Sequence, residues 1–336
     1  MRDMNRSTYI RCMSICESLK HIGDKKPRLK IQRAWQYYKY LFICWLENKL
    51  IKAVLDEDCF IVGVRASESN DHREGDSKTT ITASLTTFPA RINEVKYAIK
   101  SIMLQTCPPN RIVLWLAESQ FPAMQVPDSL LPFVGHGLEV RFCEDLRSHK
   151  KYFYALQEQK ENELVITFDD DIIYHPHTIE RLLEENAKHQ DCVVCSLAHE
   201  ITFDASGQVA SYHNWKTTGD NKNTPSRLYT PLTGSGCLYP YDALSKEAFD
   251  INKIKSLAFT ADDLWIAVMI QYSNRIVCIP QQVSRVFTVV SDSQTVHLGQ
   301  INCIGDGNNQ VMKNLLCAYP EVFSKLQTYR NESSTN

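Results

Sequence analysis

Apolar positions follow two alternating rhythms between residues 80 and 190. The runs at 80–88 (TITASLTTF), 111–118 (RIVLWLAE), 138–145 (LEVRFCED) and 162–171 (NELVITFDDD) are short and rich in β-branched residues, and they read as strands. Between the first two, residues 91–106 place Ile92, Val95, Ile99, Ile102 and Met103 on one helical stripe. Further helices are predicted at 148–159 (SHKKYFYALQEQ) and 176–190 (PHTIERLLEENAKHQ). Strands alternating with helices of this length predict a parallel α/β sheet, in which ligands sit at the carboxyl ends of the strands.

Upstream, the chain opens on a polar, unpatterned stretch and then becomes strongly aromatic. Residues 33–55 (RAWQYYKYLFICWLENKLIKAVL) predict a helix. Its uninterrupted apolar core, Tyr40 to Leu46, falls far short of the ~20 residues a bilayer span needs. Aromatics mixed with Lys and Arg suit a helix lying on anionic lipid, and equally one packed on the main domain or a partner. Residues 56–78 turn acidic and polar, as a linker or surface loop would. The expected organisation is a basic helical segment over 1–55, a linker over 56–78, a main domain over 79–325 and a polar tail over 326–336.

Composition changes this picture little. The 336 residues suffice for a sizeable core, and 43% hydrophobic with 23% charged residues is ordinary for a globular chain. A formal net charge of −2 gives no sign of nucleic-acid binding. The charge is uneven, however, because residues 1–55 carry 12 Lys/Arg against 4 Asp/Glu. Twelve cysteines form no evenly spaced framework, and Cys44, Cys195 and Cys278 lie inside apolar runs, where a reduced thiol is a small hydrophobe. Cys192 and Cys195 have the spacing of a zinc half-site. The valines between them read as a buried strand, and no second pair follows, so both are expected to be structural. No secretory leader pattern is visible, which makes a reducing cytosol the expected compartment.

The chemistry begins where the fourth strand runs into Asp169, Asp170 and Asp171. Three adjacent carboxylates repel one another unless a cation or strong hydrogen bonds offset the cost. At a strand's carboxyl end, paired aspartates suit a hard divalent cation, and magnesium or manganese there can bridge the diphosphate of a nucleotide-linked substrate. A turn capped by aspartates bonded to loop amides is the structural alternative. Downstream, PLTGSGCLYP (231–240) sets Gly234 and Gly236 around Ser235, and FTADDLWIAVMI (259–270) opens an apolar helix on Asp262 and Asp263. The glycines allow close backbone approach or form a plain turn, and the acidic pair can simply cap the helix and complement its dipole.

In order, SLTTFPARI, RIVLWL, EDLRSHKKYF and ITFDDDIIY resemble the nucleotide-sugar-dependent GT-A glycosyltransferases. The likeness is strongest to family-two-like enzymes of bacterial capsule and lipopolysaccharide assembly, and it covers roughly residues 80–320. The resemblance implies a GT-A, Rossmann-like, mostly parallel sheet flanked by helices, with a divalent Mn or Mg cofactor. It would put Thr86, Phe88 and Arg91 near the base, Asp169 and Asp171 on the metal, and Asp169 and Asp170 on the nucleotide sugar. Asp145 would reach the base or ribose, and Lys150 or Lys151 the phosphates, although a solvated helix face accounts for the lysines nearly as well. Gly234, Ser235 and Gly236 would line the pocket for donor sugar and acceptor. Inverting members carry an acidic pair, usually Glu-Asp, at a helix start about ninety residues past the metal motif. By that analogy Asp263 is the general base and Asp262 its support, with Asp-Asp as this chain's departure. The Gln-x-x-Arg-Trp motif of processive synthases is absent, which favours addition of single sugars. Of the histidines after strand ends, His175, His199 and His297, the last is the candidate for a further metal ligand.

The resulting expectation is a cytoplasmic enzyme, peripheral on the inner face of the cytoplasmic membrane. It would move a sugar from a nucleoside-diphosphate donor to a glycan or lipid-linked glycan, with inversion, in surface polysaccharide synthesis. Three rivals stand beside it. A sugar nucleotidyltransferase expects a Gly- and Arg-rich loop after its first strand, where this chain has TTFPARI. An Asp-dependent phosphatase expects Asp-x-Asp-x-Thr after a first strand, where this chain has Ile173 after a fourth. A non-catalytic glycan- or lipid-binding protein would not need the second acidic pair.

Overall fold

All four expected strands form, as β1 (Thr80–Thr86), β2 (Arg111–Ala117), β3 (Leu138–Cys143) and β4 (Glu163–Phe168). The computed structural model describes residues 2–21, 46, 49–56, 79–218, 225–280, 288–290 and 306–333. Its remaining strands are β5 (Ile172–Ile173), β6 (Val193–Cys195), β7 (Ala198–Glu200), β8 (Lys216–Thr217), β9 (Tyr229–Pro231), β10 (Ser235–Tyr239), β11 (Val277–Cys278) and β12 (Thr288–Val289). The helices are α1 (Arg2–His21), α2 (helical at 49–56), α3 (Val95–Met103), α4 (Lys150–Gln157), α5 (Thr178–Lys188), α6 (Ile251–Leu257), α7 (Asp262–Tyr272), α8 (Gly307–Ala318) and α9 (Pro320–Ser333).

Seven strands make one sheet in the order β11-β6-β10-β4-β1-β2-β3. β1 pairs in parallel with both β2 and β4, β2 with β3, and β11 with β6, whereas β10 runs antiparallel between β4 and β6. Because the sheet is covered on both faces, its central strands are buried along nearly their whole length, which is why they read as continuous apolar runs. α3 and α5 cover one face through Val95, Ile99, Ile102, Ile179 and Leu182. α4 and α6 to α9 cover the other, where Trp265, Met269, Leu315 and Phe323 share a core with Cys195 and Tyr239. The doubly covered, mostly parallel α/β sheet expected from the periodicity is therefore present.

Two features of this packing place the site. β10 runs antiparallel to β4 with Ser235 opposite Phe168, so the TGSG turn before β10 meets the aspartates after β4. α7 is apolar around its whole circumference, and such a helix has to be buried. Its first turn goes in with it, burying Asp262 and leaving Asp263 half-buried.

The N-terminal stretch that showed no pattern forms α1. Tyr9 and Met13 of α1 and Ile51 and Leu55 of α2 bury against Tyr97 and Leu104 of α3, Ile173 of β5 and Val290. Polar contacts add to this seam. Lys52 pairs with Glu94 at 3.1 Å, the Tyr97 hydroxyl donates to Asp56, and Lys100 donates to the Leu55 carbonyl. Of the helix expected at 33–55, only residue 46 and residues 49–55 are among the described residues, and 57–78 lie outside them. At the other end, α9 runs well into the expected polar tail, because Leu326 is buried beside Val322 and Phe323. Among the described residues no helix is long and apolar enough to cross a membrane.

Candidate active site

The positive charges demanded by the aspartate triplet are Arg91 and Lys151. Arg91, in a short 3₁₀ turn after β1, is buried, and its Nη1 lies 2.7 Å from Asp170 Oδ1 and 2.9 Å from Asp171 Oδ2. The Thr87 hydroxyl donates to the other oxygen of Asp170 at 2.6 Å. Asp170 thus has both oxygens occupied and turns inward. Burial first, then the neighbouring Asp171, raises its carboxyl pKa to about 6 against the pull of Arg91. Asp169 behaves differently. Its side chain is 40% exposed and one oxygen accepts from Lys151 Nζ at 2.6 Å.

Lys151 is the hub of the cluster. Only 3% of its side chain is exposed, and its ammonium also lies 3.0 Å from Asp262 Oδ2, so one cation joins the end of β4 to the start of α7. Burial disfavours that charge, but Asp169, Asp262 and Asp263 outweigh it and hold the pKa well above the ordinary lysine value. The backbone around Lys151 is fixed from two sides. Its carbonyl accepts from Ser84 of β1 at 2.5 Å. The preceding His149 is buried, with its two ring nitrogens 3.0 Å from the Tyr152 hydroxyl and 2.9 Å from the Ala258 carbonyl.

Thr233, just before the glycines, binds the acidic pair. Its amide donates to Asp263 Oδ1 at 2.8 Å, and its hydroxyl lies 2.7 Å from both Asp262 Oδ2 and Asp263 Oδ1. The hydroxyl has one proton and serves one carboxylate at a time. The two carboxyls are driven apart. Burial works against ionising Asp262, yet Lys151, His149 and Thr233 hold its pKa well below the usual carboxylate range. Burial and the adjacent Asp262 charge raise that of Asp263, against Lys151 and Thr233. A pair whose environments separate its titrations in this way is suited to one ionised partner and one proton acceptor.

Gly234 sits against Asp169 so closely that a Cβ there would lie 1.8 Å from Asp169 Oδ2. Only glycine leaves room for the carboxylate. Gly236 has φ +92°, the left-handed side that glycine tolerates, and the Ser235 hydroxyl bonds back to Leu232 at 2.8 Å. Tyr174 was not foreseen. Its buried hydroxyl donates to the Gly234 carbonyl at 2.6 Å and accepts from the Asp169 amide at 2.7 Å, while its own carbonyl accepts from Tyr9 of α1 at 2.5 Å.

The structure thus brings Arg91, Lys151, Asp169, Asp170, Asp171, Gly234, Asp262 and Asp263 into one connected network. Phe88 is half-buried with its ring under Arg91 at 5.3 Å, and the Thr86 hydroxyl donates to the Trp115 carbonyl at 2.8 Å. Asp145 and Lys150 form a separate pair at 2.6 Å at the end of β3, with Gln120 also on Asp145. Of the histidines, His175 is buried with its ring against the His177 amide, His199 packs on Tyr212, and His297 lies outside the described residues. Thr87, Tyr174 and Thr233 were missed, since a lone hydroxyl leaves no pattern that sequence spacing can expose.

No protein-family model and no curated protein matches the sequence. Distant similarity to solved structures exists. A glucosyl-3-phosphoglycerate synthase from Mycobacterium tuberculosis in complex with Mn2+, UDP and phosphoglyceric acid is 16% identical over 37% of this chain and 48% of its own, at a TM-score of 0.27. This chain therefore spans about half the length of that synthase. A mannosyltransferase from Pyrobaculum calidifontis in complex with GDP-Man and Mn2+ is 13% identical over 71% of this chain and 63% of its own, at 0.39. A 4-diphosphocytidyl-2C-methyl-D-erythritol synthase is 9% identical over 68% and 98%, at 0.40.

Proposed function

We propose that the chain is a glycosyltransferase that takes a sugar from a nucleoside-diphosphate donor and passes it to a hydroxyl acceptor with inversion. The observation that carries this reading is the network around Lys151, which sets an exposed strand-end carboxylate, Asp169, beside an acidic pair with separated titrations. The cluster's donors are carboxylate oxygens, and its five aspartates outnumber Arg91 and Lys151, a set that fits a hard divalent cation. Asp169 and Asp171 would hold Mg2+ or Mn2+, which when bound supplies charge neutralisation at the donor diphosphate.

Each residue then has a task. Asp263 takes the proton of the acceptor hydroxyl as that oxygen bonds to the anomeric carbon and the bond from that carbon to the diphosphate breaks. Its raised pKa keeps it basic enough for the transfer, and Thr233 aims it. Asp262, ionised beside Lys151, keeps the ammonium in place. Asp170 and Arg91 are positioning residues that fix the loop carrying Asp169 and Asp171. Gly234 leaves the donor sugar's side of Asp169 uncrowded. The acceptor proposed is a glycan or lipid-linked glycan, with contact to an anionic membrane surface through the basic residues of the N-terminal segment.

The test is a panel of nucleoside-diphosphate sugars with Mn2+ or Mg2+, reading release of the nucleoside diphosphate with and without glycan acceptors. Metal-dependent release from one donor is expected. Release of pyrophosphate from a nucleoside triphosphate and a sugar phosphate, with no turnover of any nucleoside-diphosphate sugar, would assign the site to a nucleotidyltransferase instead.

A further inference from the structure

At the β11 edge of the sheet, beside the start of β6, a second group of ligating side chains meets. One ring nitrogen of His189 and the sulfurs of Cys192 and Cys278 all lie within 4.8 Å of one another. Two sulfurs bound to one tetrahedral zinc at ~2.3 Å sit about 3.8 Å apart, so small side-chain rotations would close the group on a metal. The pairing differs from the one that spacing suggested. Cys192, just before β6, and Cys195, at its end, enter opposite cores, Cys192 with Cys278 and Cys195 with Trp265.

The scaffold for these groups is rigid. His189 closes α5, with its amide donating to Glu185 and Asn186 carbonyls, and the Cys192 amide returns to the His189 carbonyl at 3.0 Å. β11 brings Cys278 alongside through the parallel register Cys278 to Val194. Glu185 lies beside the imidazole, outside the mutual 4.8 Å of the three. Glu185 is a carboxylate with 4% of its side chain exposed, and its Oε1 is 3.6 Å from His189 Nε2. A carboxylate at that distance from a ligating imidazole suits the orienting role that such partners play for metal-bound histidines. Its other oxygen meets Lys188 at 3.0 Å, which offsets its charge beside the two thiolates. Glu185 and Lys188 also line a surface groove with Glu184 and Pro280, an approach for an ion.

We propose that His189, Cys192 and Cys278, with Glu185 beside the imidazole, form a structural site for a zinc-class ion that ties the end of α5 to the edge strand β11, water taking the fourth position. Binding releases the two thiol protons to solvent. The site is chemically distinct from the aspartate cluster, which offers oxygen donors alone. Because β11 is a two-residue edge strand, the tie would hold the margin of the sheet on which β6 and β10 depend.

The probe is Co2+, added to the reduced, chelator-stripped full chain without nucleotide. One equivalent should produce thiolate-to-cobalt charge-transfer absorption and the visible bands of a tetrahedral site, both displaced by Zn2+. Zn2+ should also raise the melting temperature by several degrees. Cys192→Ala and Cys278→Ala should each remove the thiolate band, and Cys195→Ala should keep it. Should a cysteine variant misfold, His189→Ala, at a half-exposed position, should still lower Co2+ affinity by about 10-fold or more. The proposal fails if the parent chain shows no thiolate band, if the band survives in Cys192→Ala or Cys278→Ala, or if His189→Ala binds Co2+ as tightly as the parent.

Discussion

Replacing Lys151 by methionine removes the ammonium from the centre of the aspartate network and keeps nearly all of the side chain's length. Two carboxylates lose a partner at once, Asp169 at 2.6 Å and Asp262 at 3.0 Å, and the site is closed to solvent on the lysine's side. Breaking a buried ion pair by removing one member costs about 3–5 kcal/mol. With about 2–4 °C per kcal/mol for a domain of 150–250 residues, the melting temperature should fall by about 6–20 °C near neutral pH. The loss should depend on pH in a defined direction. Without Lys151, burial is left to raise the folded-state pKa of Asp262 above its unfolded value, so the folded variant binds more protons than the unfolded chain. Its stability is then greatest at low pH and is lost as pH rises through the raised Asp262 value. Thermal melts of both proteins across about pH 5 to 8 should show a gap that widens with pH. A gap under about 2 °C, or one that ignores pH, would mean that Lys151 is a solvated lysine and would refute the reasoning.

Other perturbations separate position from charge. Gly234→Ala forces a methyl to within 1.8 Å of Asp169 Oδ2, so the carboxylate must move by more than 1 Å. A displacement of that size should slow transfer by about 100-fold, and steady-state rates with unchanged melting temperature would check it. Asp263 acts ionised and its pKa is raised, so the acid limb of the pH–rate profile should lie above the ordinary carboxylate value of ~3.9. Full activity down to that value would exclude Asp263 as the base. Deleting residues 1–56 uncovers Tyr97, Leu104 and Ile173 and removes the Tyr9 bond to Tyr174. Both melting temperature and donor affinity should drop, and binding to anionic vesicles at low salt should be lost. A truncated chain that melts and binds donor like the parent would show that this seam is incidental.

Much of this site could be read from the sequence because its parts sit at ends of strongly patterned elements. The strand before Asp169 and the helix after Asp262 each advertise themselves by a buried apolar run, and ionisable groups at such ends have few places to go. The roles within the site were less legible. Arg91 follows β1 by a few residues, as a base-contacting group would, but it turns back to Asp170 and Asp171, a contact across 79 positions that no local pattern encodes. Lys151 lies on a helix that could have been a solvated face, and only its pairing with Asp169 after β4 and Asp262 of α7 makes it a buried counter-ion. Tyr174 and Thr233 act through single hydroxyls at turns, which leave no periodicity. α1 was illegible for a different reason. Among its described side chains only Tyr9 and Met13 are buried and apolar, with Cys12 packed beside them, and the surface on α2 and α3 stabilises it.

The central claim is that the Thr233-bound acidic pair performs chemistry while the β4 aspartates hold the donor. The most direct measurement is transfer rate alongside donor dissociation constant for Asp263→Asn, with melting temperature as the check on folding. The amide keeps the size of the carboxylate and the oxygen that Thr233 binds, and loses basicity. Transfer should fall by about 100-fold or more with donor affinity little changed. If Asp263→Asn transfers at the parent rate once folded, the pair is a helix cap and the account is wrong. A larger rate loss in Asp262→Asn, measured the same way, would contradict the assignment of the base to Asp263.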